Sequence, residues 1–312
     1  MFDAAGAFVA RVPGGAGVLL AALLGLDAVV AALLNLDTAV VFLTPVLLHA
    51  ARRRGIAEEP FLYGSVFVAN SASLLLPGSN LTNLIVLARQ PAPGSAFAAR
   101  MAPAWALAVA ITIVVVGLAC RGGPAPAASA DDPVTRARLG PGGAGIAAAA
   151  VLVLVLAQPA LPVLGLGLAV ALASRLRLRE VVAAANPALL LGVLGLAVAL
   201  GTAGQALGSR GSLLAAAGRW QTAWLAAGAS LVVDNLPAAV VLAAPLAAHH
   251  PHALLLGLDL GPNLAVSGSL SALLWLRIGR AHGARPSALR YTLLGLVLVP
   301  LTLTGSLLVT GA

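Results

Sequence analysis

Lysine is absent from this sequence, cysteine occurs once, and only 9% of the residues are charged. Each shortage excludes something. A soluble globular domain carries roughly 25% charged residues. A chain of 312 residues that is 60% hydrophobic, with mean hydropathy +1.01, therefore reads as an all-α polytopic membrane protein. The lone Cys120 excludes an intramolecular disulfide and a thiolate metal centre. Its simpler role is a small residue closing an apolar run. HExxH, GxSxG and paired histidines on one helix face are also missing, which argues against an intramembrane enzyme. No cofactor is expected. The net charge of +8 comes from eighteen basic residues, all arginine, and they lie between apolar runs. That placement points to membrane orientation, not to nucleic acid. The missing lysine reflects codon usage more than mechanism.

The apolar runs are of two kinds. Runs 101–120, 143–158, 160–174, 186–207 and 289–310 read as ordinary spans. Four others are interrupted. Run 17–51 carries Asn35, Asp37 and Thr38 at its centre. Run 61–88 is broken by "ANSASLLLPGSNLTN" (69–83), run 220–248 by "DNLP" (234–237), and run 251–278 by "DLGPNLAVSGS" (259–269). An apolar half of about fifteen residues makes a helix of about 22 Å, short of the ~30 Å hydrocarbon core. Two halves can return as a re-entrant hairpin or stack around an unwound centre. Unpaired backbone at that depth is tolerated only inside protein or against a cavity. The expectation is two re-entrant hairpins, 17–51 and 220–248, and two broken helices, 61–88 and 251–278.

An internal repeat supports this organisation. Asn35 to Pro45 spans the same ten positions as Asn235 to Pro245, and "AVV" recurs at 39–41 and 239–241. In the broken runs Asn70 corresponds to Asp259, and Ser79–Asn80 to Gly268–Ser269. The first repeat is 1–120 and the second 143–312, joined by a Gly/Pro/Ala/Arg-rich loop at 121–142. With this assignment fourteen arginines fall on one side and four on the other. The arginine-rich side is read as cytoplasmic, which puts the C-terminus outside and the protein in the cell membrane. Five crossings separate the hairpins, so the repeats are inverted. Three helices precede the second hairpin and none precedes the first, so three N-terminal scaffold helices are expected to be missing.

Inverted repeats with discontinuous helices place a solute site near the midplane, at helix termini. The candidates are the polar groups at the breaks: Asn35, Asn70, Ser71, Ser73, Ser79, Asn80, Asn83, Asn235, Asp259, Asn263 and Ser269, with Thr38, Thr82, Ser267 and Ser271 beside them. Hydroxyls, amides and a few carboxylates suit a small hydroxylated solute or oxyanion. Asp37 and Asp234, near the hairpin tips, are candidates for proton coupling, with a modest lead for Asp37. Each has a plainer alternative. Serine and threonine in membrane helices commonly pack or back-bond, and asparagine at a break caps a helix. Asp27 is balanced between a proton relay and a helix–helix contact. His249, His250 and His252 follow the second hairpin at its aqueous end and read as solvated or interfacial, not as a metal cluster.

"FVANSASLLLPGSNLTNLIV" (67–86) and "DLGPNLAVSGSLSALLWL" (259–276) closely resemble the signature segments of ArsB-type arsenite/antimonite efflux permeases, and "LDTAVVFLTP" and "DNLPAAVV" resemble their hairpin tips. That family lies in the ion transporter superfamily with NhaD-type antiporters and divalent-anion symporters. The resemblance implies an elevator-like fold and extrusion of trivalent arsenic or antimony, driven by proton gradient or membrane potential. It also implies a possible soluble arsenite-stimulated ATPase partner and a possible homodimer. Carried over by motif, Asp37, Asn70, Ser79, Asn80, Asn83, Asn235, Asp259 and Ser269 would surround the solute. Cys120 lies away from every break, so As(OH)3 would be held through its hydroxyls. Two other readings stay open: an Na+/H+ or anion transporter of the same superfamily, and a truncated, non-transporting membrane subunit.

Overall fold

The computed structural model describes residues 15–88, 93–120, 160–185, 217–246 and 249–310, with scattered positions between 145 and 198. The expected loop 121–142 and spans 143–158 and 186–207 lie outside the described residues, those scattered positions apart. Among the described residues the regular structure is helical: α1 (Ala16–Leu33), α2 (Leu36–Arg53), α3 (Glu59–Ala72), α4 (Leu81–Leu87), α5 (Gly94–Ala119), α6 (Ala160–Ala173), α7 (Leu178–Ala185), α8 (Arg219–Val233), α9 (Asn235–Leu246), α10 (Pro251–Leu260), α11 (Leu270–Ala281) and α12 (Ala288–Val309). Short 3-10 turns, Pro77–Ser79, Gly261–Leu264 and Val266–Gly268, fill the gaps between α3 and α4 and between α10 and α11. Helices α1, α5 and α12 are long and apolar enough to cross a membrane. The 18 residues of α1 extend about 27 Å at 1.5 Å per residue. The expected span 101–120 starts earlier, at Gly94, and holds Pro103 inside the helix.

All four expected interruptions are helix breaks, and each is closed by a side chain. Asn35 accepts from the Asp37 N–H at 2.8 Å, and Asp234 from the Leu236 N–H at 3.1 Å. Asn80 accepts from the Thr82 N–H at 3.2 Å, and Ser269 from the Ala272 N–H at 3.3 Å. The first turn of a helix leaves N–H groups without intrahelical partners, and these side chains satisfy one at each break. Asp234 sits in the left-handed region at φ 73°, which lets the chain reverse within one residue. The sequence repeat pairs Asn35 with Asn235. The structure instead puts Asn35 and Asp234 at equivalent turns, one position apart from that register.

The packing follows the same order in both halves. Helix α1 lies on α3 as α8 lies on α10. Helix α2 packs on α11 and α9 on α4, so the helix after each of these two breaks meets a broken run of the other half. Helices α5 and α12 pack on one another. The α8–α10 contact brings two backbones together. A Cβ on Gly257 would run into the Ala223 carbonyl, and one on Gly261 into Ala227. Small residues four apart let two backbones touch, which is how membrane helices gain packing energy without a hydrophobic driving force. Around α3, an aromatic group of Tyr63, Phe67, Trp275 and Tyr291 joins the halves, with ring centroids 4.5 to 6.4 Å apart.

Five helix ends meet at one end of the molecule. Arg52, at the end of α2, pairs with Glu58 at 2.7 Å and donates to the His282 carbonyl beyond α11 at 2.8 Å. Arg290 of α12 pairs with Glu59 of α3 at 2.9 Å and donates to the Ala119 carbonyl of α5 at 3.1 Å.

Candidate functional site

The two broken helices face each other where they unwind. Asp259, on the last turn of α10, is 1% exposed. Its Oδ1 accepts from the Thr82 hydroxyl at 2.6 Å and the Asn80 Nδ2 at 2.9 Å, both from the first half. Its Oδ2 is buried without a partner. Asn70 Nδ2 donates to Asn263 Oδ1 at 2.8 Å, a second link between the halves. Ser73 ties the two together: its hydroxyl donates to the Asn70 carbonyl at 2.8 Å and accepts from Asn80 Nδ2 at 3.5 Å. Asn70, Ser73, Asn80, Asp259 and Asn263 thus form one buried network, with Thr82 as a sixth member.

Other expected residues serve the frame around it. Ser79 donates to the Leu76 carbonyl at 2.6 Å, and Asn83 Nδ2 donates to the Ser73 and Leu76 carbonyls at 2.8 and 3.0 Å. These bonds satisfy carbonyls that unwinding leaves free. Asn83 Oδ1 is buried and unpartnered. The Ser71 hydroxyl turns away from the network, to Thr112 on α5 at 3.0 Å, so it belongs to helix packing. Ser269 caps α11, and Asn235, buried, starts α9. Asn80 combines both roles: its Oδ1 caps α4 while its Nδ2 reaches Asp259.

The α1–α2 and α8–α9 breaks carry the other two candidate carboxylates. Asp37 Oδ1 accepts from the Ser271 hydroxyl of α11 at 2.8 Å. Asp234 caps α9 by accepting from the Leu236 N–H at 3.1 Å. Tyr291, not expected from the sequence, donates from α12 to the Pro262 carbonyl at 3.0 Å and holds the second unwound segment. A fully buried tyrosine hydroxyl in an apolar span needs a partner. That need was the available signal.

The electrostatics are one-sided. Among the described residues, the buried carboxylates are Asp27 and Asp259, and no arginine or histidine is buried. The cluster can hold a hydroxylated neutral solute, a proton or a cation through amide, hydroxyl and carboxylate oxygens. It has no cationic side chain to balance an anion.

The citrate transporter family model, CitMHS, matches residues 1–271. The chain belongs to the citrate transporter family. Membership makes it a secondary transporter of the ion transporter superfamily, an all-α membrane protein whose partners are the lipid bilayer and a small solute, and not an enzyme. No curated protein matches the chain. Within the citrate transporter family the match identifies the class of protein, and the chemistry of the buried network bears on its solute.

Proposed function

We propose that the chain exports a neutral trihydroxylated metalloid, arsenite or antimonite, in exchange for protons. Asn70, Ser73, Asn80, Asp259 and Asn263, helped by Thr82, hold the solute. Ser79, Asn83, Asn235, Ser269 and Asn35 shape the helix ends around it, and Ser71 braces α3 on α5. Asp37 and Asp234, at the breaks of the two hairpins, carry the coupling proton. The observation that carries this reading is a buried carboxylate, Asp259, set among amide and hydroxyl groups with no buried cation nearby. Such a lining exchanges hydrogen bonds with three hydroxyls without needing a counter-charge.

The proposed architecture is two inverted repeats, 1–120 and 143–312, each holding a re-entrant hairpin followed by a broken helix and a span, with three further spans ahead of the hairpin in the second. The matching packing order and the four capped breaks support it. The end carrying Arg52 and Arg290 is proposed to face the cytoplasm, with the C-terminus outside. A soluble ATPase partner and a homodimer remain part of the proposal through the resemblance to arsenite permeases.

A second reading follows from the family match: transport of citrate. A tricarboxylate beside Asp259 meets like charge in a low-dielectric site, which is unfavourable unless a cation travels with it. The deciding experiment measures uptake of arsenite and of citrate, with and without a divalent cation, into everted vesicles containing the full chain. Proton-driven arsenite accumulation with no citrate uptake supports the first reading. Citrate uptake without arsenite uptake replaces it with the second.

A further inference from the structure

Asp27 stands apart from everything described above. It lies on α1, is 0% exposed, and neither carboxylate oxygen has a hydrogen-bond partner. Its companions on the buried face of α1 are Leu23, Leu24, Ala28 and Ala31, all within one apolar core. It is the twelfth of eighteen residues, in the C-terminal half of the helix, where the backbone dipole opposes negative charge.

Among the described residues, the helices packed on α1 offer no counter-ion to Asp27. On α2 the titratable groups are Asp37, His49, Arg52 and Arg53; on α3 they are Glu59 and Tyr63; on α5 it is Arg100. None of them bonds to Asp27. Asp37 is engaged by Ser271, Arg52 by Glu58, Glu59 by Arg290 and Tyr63 by Ser287. The 3-10 turn Pro77–Ser79, which also touches α1, carries no titratable group. An ionised carboxylate fully buried among apolar side chains, with no donor and no cation beside it, is not sustained in such an interior; it takes up a proton instead.

We propose that Asp27 is a proton-binding site separate from the midplane network, occupied and shut off from water while α1 packs on α2, α3 and α5. Exchange of this proton requires α1 to part from those helices. Loading and release at Asp27 are therefore tied to movement of the first hairpin arm. The proposal uses the transporter fold but not the identity of the solute.

The test is infrared spectroscopy of the full chain in liposomes, which needs no transported solute. The parent is expected to show a protonated-carboxyl C=O band at neutral pH, at the high-frequency end of its range because the group is not hydrogen-bonded. The band should shift slowly on transfer to D2O, and faster under an imposed pH gradient. Asp27→Asn should remove it, and Asp259→Asn should leave it in place. A band that survives Asp27→Asn overturns the proposal. So does a carboxylate band that is lost in Asp27→Asn and moves with added Na+, which would assign a bound cation. Exchange that is equally fast with and without the gradient, and as fast as that of a solvent carboxyl, overturns the occlusion. If Asp27→Asn does not fold, Asp27→Glu keeps the carboxyl and must displace the band.

Discussion

Thr82 and Asp259 are 177 residues apart in sequence and 2.6 Å apart in space, hydroxyl to carboxylate, at the point where both broken helices unwind. The contact fastens the first half to the second inside a dry interior. Removing a partner there leaves a buried polar group unsatisfied, at about 1–3 kcal/mol each.

Asp259→Ala and Asn70→Ala are each expected to abolish arsenite resistance in a sensitive, efflux-deficient host while membrane expression persists. Each removes a link between the halves together with a group proposed to hold the solute. Thr82→Val, which keeps the shape and removes the hydroxyl, should give a partial loss. Resistance at parental level in both alanine variants refutes the site. If the parent itself confers no resistance, the same variants are read by vesicle uptake of arsenite and citrate.

Asp37 and Ser271 give a test of coupling. Asp37→Asn preserves an oxygen for the Ser271 hydroxyl, now at 2.8 Å, and removes the titrating proton. Solute binding is expected to remain, and pH-driven accumulation in everted vesicles to fall at least tenfold. Accumulation that still follows an imposed pH gradient makes Asp37 structural and moves the coupling role to Asp234.

How much of this was legible beforehand differs residue by residue. The breaks near Asn35, Asn80, Asp234 and Ser269 were readable because polar groups interrupt runs that must otherwise stay apolar. The partners across the molecule were not. Asn70 with Asn263 and Asp259 with Thr82 are non-local contacts, and periodicity along one segment says nothing about them. The register of the second tip was missed by one residue because "AVV" was aligned, whereas the turn is fixed by which side chain caps the next helix. Ser71 sits beside the site residues in sequence, but its helix face turns it toward Thr112. Tyr291 carries no mark in the sequence, because a lone aromatic in a span looks like packing.

Orientation is testable at both ends of the bundle. In a Cys120→Ser background, Arg285→Cys is exposed near the Arg52–His282 contact, and Ser95→Cys is exposed at the start of α5, at the opposite end. An impermeant thiol reagent added to intact cells is expected to label Ser95→Cys and to spare Arg285→Cys until the cells are permeabilised. The reverse pattern turns the protein over in the membrane and makes the arginine-rich end external.

The α8–α10 contact makes a prediction about stability without reference to solute. At Gly257 a methyl group has no space, since the Ala223 carbonyl and the Ala226 side chain already occupy its position. Both obstacles belong to a helix backbone and its shortest side chain, so neither can swing aside as a long side chain would. Gly257→Ala must push α8 away from α10, and overpacking of this kind costs about 1–3 kcal/mol. Asp259 lies two residues along α10, so any movement of α10 changes its fit to Asn80 and Thr82. Detergent-solubilised Gly257→Ala is therefore expected to melt several degrees below the parent and to transport less. Gly25→Ala is the control, because nothing lies within 4 Å of a Cβ at Gly25 and its melting temperature should be unchanged. Equal melting temperatures for Gly257→Ala and the parent would mean that α8 and α10 are not in backbone contact, and that Asp259 is positioned by some other surface.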